Sequence, residues 1–417
     1  MGVLTSVFPD TGRIRFYVSG ILFAGMKGRR EQIDQPVAGG IGVPHVAEDT
    51  RRALGELARH WRTRFAPVLI AVTGSNGKTT VKEMLASILL RHAGEPAVLA
   101  TAGNFNNDIG VPLTLLRLRE AHRYCAIELG MNHRGEIAQL AAIAQPTVAL
   151  VNNAQREHLE FMRSVEEVAA ENASVYAALP PAGVAVVNAD DAHAELFRKA
   201  AGSRRVLDFG LERPAAVTGS YALEPLSSEL RLRTAEGEAV ATLAIPGLHN
   251  VRNALAAAAC ALSAGVALPA IGEGLSAFLP YTGRLQVKRS AAGTTVIDDT
   301  YNANPDSVRA AIDVLASCPG PTLLVLGDMG EVGSRGPEFH REVGAYAREK
   351  GISGLLATGE AARGAVEGFG AGARHFASLE QLIGAVSGRT ILVKGSRFMR
   401  MERVVAALTG TAAQGGH

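Results

Sequence analysis

Aromatic side chains are scarce in this chain: Phe, Tyr and Trp make up 5% of 417 residues, and Trp61 is the single tryptophan. That excludes a tryptophan-rich binding face. Cysteine is nearly missing too. Cys125, Cys260 and Cys318 lie far apart with no C-x-x-C pair, which argues against a disulfide framework or a cysteine-held metal and for reduced thiols in a cytoplasm. No charge of one sign prevails, since 42 Lys and Arg face 40 Asp and Glu for a net +2. Neither a nucleic acid nor an anionic membrane is therefore expected as a partner. Long apolar runs are lacking as well. The first sixteen residues do not carry a signal-peptide core. The most apolar window, 254–271, is broken by Ser263, Gly265 and Pro269, so it reads as a packed helix and not a membrane span.

What is present is glycine, 46 residues of it, within an ordinary globular composition of 47% apolar and 20% charged residues. The length suggests two or three domains. From Pro67 onward short β-branched runs alternate with helical patterns, the signature of a parallel α/β sheet. VLIAVT (68–73) runs into a glycine loop, after which Val81, Met84, Leu85, Ile88 and Leu89 recur at helical spacing. Ser164 with Glu167 makes a capping-box helix start. Between Val217 and Ile245 the pattern predicts short alternating strands, an antiparallel edge on the same domain. A second α/β unit follows Arg284, with Pro305 at the first position of a helix that Asn304 and Asp306 frame. Ahead of all this, 1–66 shows one clear element, a helix from Asp49 to Phe65 with Leu54, Leu57, Trp61 and Phe65 on one stripe.

The strongest local signal is Thr73-Gly74-Ser75-Asn76-Gly77-Lys78-Thr79-Thr80, set between a strand and a helix. Glycines let backbone N–H groups point into an anion, the helix N-terminus adds its dipole, and Lys78 reaches outer phosphates. The Thr79 hydroxyl is suited to Mg²⁺. Val72 stands where the longer phosphate-loop form has glycine, so the loop is a shortened variant.

This octet resembles the ATP loop of the Mur ligases and of their folylpolyglutamate synthetase relatives. Four further blocks point to the D-alanyl-D-alanine-adding branch of that family: G-N-F-N-N-D-I-G-V-P-L-T (103–114), D-D-T-Y-N-A-N-P-D-S (298–307), L-G-D-M-G-E (326–331) and V-K-G-S-R (393–397). The resemblance covers about 67–405. It implies a three-domain α/β architecture: a shortened N-terminal domain for a UDP-linked substrate (1–66), a central P-loop parallel-sheet domain (67–283) and a C-terminal Rossmann-like domain (284–417). It further implies ATP and Mg²⁺, with UDP-N-acetylmuramoyl-tripeptide and D-alanyl-D-alanine as the partners joined, in a monomer.

By the same resemblance Glu128, at the end of Y-C-A-I-E-L, is the Mg²⁺ glutamate, with a solvated strand-end charge as the alternative. His158 is a second-metal histidine or a structural hydrogen-bonder. Asn250 and Asn253 contact ATP, unless Asn250 is a helix cap. Arg284 reaches the ATP phosphates and Asp299 meets the nucleotide from the third domain. Asn104, Asn106, Asn107, Asn302 and Asn304 belong to the substrate blocks. Lys394, Ser396 and Arg397 contact a peptide carboxylate or form a solvated turn. Lys78, Glu128, His158 and Arg284 make up the implied catalytic set. Two departures stand out. Asn172 occupies the place of a family lysine whose carbamate bridges toward a metal, leaving Glu171 or Asn172 as substitutes. In the N-terminal segment Gly12 stands where arginine is expected, beside Asp10, Thr11 and Arg13, and the chain runs from Gly28 to Val43 without room for the usual helix and strand. A folylpolyglutamate-synthetase-like ligase, a hydrolytic P-loop NTPase and a non-catalytic family member are the competing readings.

Overall fold

The computed structural model describes residues 49–411 and, ahead of them, three short strands: β1 (Val7–Asp10), β2 (Arg13–Val18) and β3 (Ile21–Ala24), paired antiparallel in that order. Gly12, Gly28 and Val43 lie outside the described residues, and so does the expectation attached to them.

The anticipated helix is there as Thr50–Arg62, with Asp49 as its N-cap accepting the N–H groups of Arg51 and Arg52 at 3.0 and 3.1 Å. It does not stand apart. Leu54, Leu57, Trp61 and Phe65 pack into the core beneath the central sheet. Trp61 Nε1 donates to the Leu118 carbonyl at 3.3 Å and Arg62 Nε to that of Ala144 at 3.2 Å.

The central sheet comprises β4 (Val68–Thr73), β5 (Val98–Ala100), β6 (Tyr124–Glu128), β7 (Val148–Val151), β8 (Val184–Asn188) and β9 (Arg205–Phe209). All six run parallel in the order β5-β6-β4-β7-β8-β9. Helices cover both faces, which is why these strands are continuous apolar runs rather than alternating ones. The window 254–271, read as one packed helix, is divided by a turn at Ala264 and Gly265: its last residues open a second helix, Leu268–Ala277, and the residues before the turn belong to the helix Leu248–Ser263. Its alanines, Ala254 and Ala256 to Ala259 among them, are fully buried, because small side chains let this helix lie close on the sheet. Among the described residues no helix is long and apolar enough to cross a membrane, and Cys125, Cys260 and Cys318 are buried and unpaired.

The expected antiparallel edge is instead a sheet of its own, β10 (Thr218–Glu224), β11 (Ser227–Thr234) and β12 (Gly237–Leu243). A single bridge, Phe209 to Val217, ties it to the central sheet. Strict alternation is the reason: Leu230 and Leu232 face inward while Glu229, Arg231 and Arg233 face solvent, so only one side is covered.

The C-terminal sheet is built from β13 (Gln286–Arg289), β14 (Thr295–Asp299), β15 (Thr322–Leu326), β16 (Gly354–Thr358), β17 (Ala373–Phe376) and β18 (Thr390–Lys394), in the order β13-β14-β18-β15-β16-β17. Only β13 is antiparallel. In both large sheets the chain reverses its direction of winding beside a central strand, β4 in one and β18 in the other. Such switch points open crevices at carboxyl ends of strands, and residues from both sets of ends line one shared cavity.

Candidate active site

The phosphate loop follows β4 and opens the helix Lys78–Ala93. Gly77 caps this helix at φ 82°, a backbone region costly for side chains, and an added Cβ would come within 2.4 Å of Asn253 Oδ1. Glycine is thus required there twice over. The loop is fixed from below by residues after β7. Asn76 N donates to Asn153 Oδ1 at 2.8 Å, Asn152 Nδ2 donates to the Asn76 carbonyl at 2.8 Å, and Ser75 Oγ accepts from Gln155 N at 2.9 Å. Thr80 is buried beneath the loop, and Gly74, at φ 132°, leads into it.

Lys78 Nζ donates to the carbonyls of Gly74 and Ser75 at 2.6 and 3.0 Å and meets both oxygens of Glu157 at 3.3 Å. Next along the helix, Thr79 Oγ1 donates to Glu128 Oε1 at 3.3 Å and accepts from Arg284 Nη2 at 3.4 Å. Asn106 Nδ2 donates to the same Glu128 oxygen at 2.8 Å. Glu128 is 2% exposed, and its other oxygen, Oε2, has no hydrogen-bond partner. A buried carboxylate oxygen left unmatched beside a threonine hydroxyl suits a hard cation, because burial without a partner is costly. These residues fit Mg²⁺. Among the described residues no three His, Cys, Asp or Glu side chains gather into a metal cage. Mg²⁺ needs none, since it is usually held by one or two carboxylates with water and phosphate oxygens.

The substitutes considered for the missing lysine do not fit a metal. Asn172 is fully buried; its Oδ1 accepts from Thr73 Oγ1 at 2.7 Å and its Nδ2 donates to the Val168 carbonyl at 3.0 Å. Both Glu171 oxygens accept backbone N–H groups, from Ile137 at 2.9 Å and Gly135 at 2.8 Å, at the start of the helix Glu136–Ala144. Each side chain is consumed by a local structural task.

His158 sits in the left-handed region at φ 53°, a strain that folds tend to keep at functional sites. Its Nδ1 is 2.7 Å from Glu331 Oε2, close but out of line for a hydrogen bond, and its Nε2 is 3.6 Å from Glu157 Oε1. Glu331 comes from the C-terminal domain. Arg284, at the junction, lies 4.1 Å over the Tyr301 ring, so its direction toward Thr79 is set by stacking.

A cavity of about 400 Å³ lies between the two α/β units. Asn76, Gly77, Asn250 and Asn253 line it on one side, Arg284, Asp299 and Lys394 on the other. Asn250 is not the helix cap, a place taken by Gly247. Its Nδ2 donates to the Pro246 carbonyl at 2.7 Å and its Oδ1 accepts from Asn253 Nδ2 at 3.1 Å. Lys394, 2% exposed, pairs with Asp299 Oδ2 at 2.5 Å and donates to the Asn302 carbonyl at 2.9 Å. Burial, only partly offset by Asp299, lowers its pKa. His249 keeps an edge on the cavity; burial pulls its pKa down to about 4.

The other substrate-block residues are spread out. Asn304 caps the helix Pro305–Ala316 in a reciprocal box with Ser307, and its Nδ2 reaches Asn76 Oδ1 at 2.8 Å. Asn107 Oδ1 accepts from Gly110 N at 2.9 Å, while Asn104 is exposed. Gly110 is needed because a Cβ there would lie 2.4 Å from the Phe105 backbone. Ser396 Oγ joins three loops, accepting from Gly330 N at 2.7 Å and donating to the Ala303 carbonyl at 3.2 Å. Arg397 lies 3.5 Å from Glu402. Sequence reasoning passed over Arg156, Glu157 and Glu331. The first two directly precede His158 in a loop without periodicity, and Glu331 ends the L-G-D-M-G-E block, so adjacency was the one available signal.

Comparison with known proteins matches residues 72–261 to the Mur ligase middle domain and 283–397 to the Mur ligase glutamate ligase domain. The chain is 40% identical over 433 residues to the UDP-N-acetylmuramoyl-tripeptide--D-alanyl-D-alanine ligase of Escherichia coli strain K12, covering 97% of this chain and 94% of that protein. It resembles a crystal structure of MurF from Acinetobacter baumannii with a TM-score of 0.83 and 37% identity, over 91% of this chain and 84% of that one. A MurF ligase from Thermotoga maritima, solved in complex with ADP, shares the fold at a TM-score of 0.79 and 24% identity, over 91% and 87% of the two chains.

Proposed function

The chain belongs to the Mur ligase family, and from that premise we propose how its cavity carries out the family's chemistry. It is an amide-bond-forming ligase of peptidoglycan synthesis that adds D-alanyl-D-alanine to UDP-N-acetylmuramoyl-tripeptide. A folylpolyglutamate-synthetase-like activity and a non-catalytic role are not favoured beside 40% identity along nearly the whole chain. One observation supports the mechanism most directly: Thr79, next to Lys78 in the loop, joins Glu128 to Arg284, and Arg284 lines the cavity that the two α/β units share.

In this reading ATP occupies that cavity, with Asn250 and Asn253 toward its nucleoside and Asp299 meeting it from the C-terminal domain. The tripeptide carboxylate attacks the γ-phosphorus, giving an acyl phosphate and ADP. The amine of D-alanyl-D-alanine then attacks the acyl carbon and phosphate leaves. Lys78 and Arg284 neutralise charge on the transferring phosphoryl group, and alignment across the domain junction supplies much of the rate. Mg²⁺, held by Thr79 and Glu128, adds further charge neutralisation when bound. His158, with Glu331 at its Nδ1 and Glu157 near its Nε2, helps to orient the phosphoryl end. Residues 1–66 grip the UDP end, more weakly than a longer first domain would, and the enzyme works as a cytoplasmic monomer.

The test is phosphate release from ATP with UDP-N-acetylmuramoyl-tripeptide, with and without D-alanyl-D-alanine, and mass analysis of the product. Release that ignores the dipeptide, or a product without the added mass, would overturn the reading.

A further inference from the structure

Arg156 belongs to the central α/β unit, binds the C-terminal one and does not itself line the cavity. It leaves the loop after β7, two residues before His158. Its Nε and Nη2 donate to Asp306 Oδ1 at 3.0 and 2.6 Å, and its own N–H donates to Asp306 Oδ2 at 2.9 Å. The remaining guanidinium face donates to both Glu342 oxygens at 2.8 and 3.1 Å, and the group lies 5.3 Å over the Phe339 ring. Burial works against its charge, but the hydrogen bonds it donates to Asp306 and Glu342 and their negative charges outweigh burial and hold the guanidinium's pKa above its ordinary value.

The placement of these carboxylates gives the contact its meaning. Asp306 is in the first turn of Pro305–Ala316, whose N-cap Asn304 reaches Asn76 in the phosphate loop. Glu342 is on the neighbouring helix Gly336–Glu349. Covalently the two units join at Gly283-Arg284, where Gly283 has φ 74° and its carbonyl accepts from Tyr301 N at 3.1 Å. A planar, five-donor fork grips two carboxylates in a way a lysine point charge does not reproduce.

We propose that Arg156 is a latch: by clamping Asp306 and Glu342 it holds the C-terminal domain closed over the cavity, and so acts as a positioning residue for ligation. The inference rests on the ligase reading for its rate effect but not for its conformational one. A positioning role means that loss of the latch lowers turnover far more than nucleotide affinity, because misalignment across the junction slows the reaction while the loop still binds phosphate. The contacts are partly exposed, at 25%, 24% and 33% for the three side chains, so added salt should weaken the latch in the wild type.

The experiment compares Arg156→Ala, Arg156→Lys and Glu342→Gln with the wild type as full-length enzyme. ADP affinity is read by calorimetry, the radius of gyration with ADP by small-angle scattering, and kcat by phosphate release. Arg156→Ala is expected to expand the molecule, lower kcat at least tenfold and leave ADP affinity within about threefold. Arg156→Lys should recover part of both, and Glu342→Gln should move both less. An Arg156→Ala protein of wild-type dimensions overturns the latch, whether or not its melting temperature falls. So does a kcat loss explained wholly by weaker ADP binding. Should the wild type fail to use D-alanyl-D-alanine while closure still depends on Arg156, the latch stands and the substrate assignment falls.

Discussion

Both carboxylate oxygens of Glu157 lie 3.3 Å from Lys78 Nζ, so the ammonium proposed to meet phosphate already holds an anion. The side chains are only 15% and 10% exposed, where solvent screens charge weakly. Polyphosphate and Glu157 therefore compete for one cation. Glu157→Gln should bind ADP about tenfold more tightly without Mg²⁺, on the order of 1.4 kcal/mol. Equal or weaker binding by calorimetry would show that Glu157 only positions Lys78.

Removing the ammonium tests the loop itself. Lys78→Ala should stay folded, with a lowered melting temperature because Glu157 loses its cation, yet lose ligation. The cost is ~3–4 kcal/mol of transition-state stabilisation, if Lys78 acts like other electrostatic clamps. Near wild-type turnover in that variant would remove the loop from the mechanism.

The Thr73–Asn172 hydrogen bond stands at the place that the family resemblance gives to a carbamoylated lysine, which this chain lacks. Activity should accordingly be indifferent to added bicarbonate. Asn172→Ala leaves the Thr73 hydroxyl buried without its partner, and should cost about 1–3 kcal/mol in urea unfolding. Rescue of turnover by bicarbonate would reveal a carbamate elsewhere.

A pH dependence follows from His249. Asn250 Nδ2 lies 3.1 Å from its Nε2, an arrangement that suits an unprotonated acceptor there and a neutral ring. Burial lowers the pKa from 6.5 to about 4, so between those values the unfolded chain binds the extra proton. Stability is fully present above about pH 6.5, falls as pH drops toward 4, and levels below it. The largest loss this shift allows is ~3 kcal/mol. His249→Asn should flatten that part of the stability–pH curve, and an unchanged slope in urea titrations would assign it to other groups.

Local chemistry made much of this protein legible from its residues. The glycine loop, the helix start at Asn304, the apolar strands and Glu128 at a strand end are each specified by neighbours a few positions away, and the structure bears them out. The same reasoning erred where long-range pairing decided, as in the three-stranded sheet taken for an edge. Contacts across 79, 99 and 150 residues, Lys78 with Glu157, Thr73 with Asn172 and Arg156 with Asp306, leave no periodicity to read. The family blocks announced a nucleotide site, but only the packing of two sheets, carboxyl ends toward one cavity, decided which loop carboxylate meets Lys78. It also decided that Lys394, read as a contact for a peptide carboxylate or as part of a solvated turn, is buried on Asp299 and not in a solvated turn, because side-chain partners are chosen by the tertiary fold after local structure is fixed.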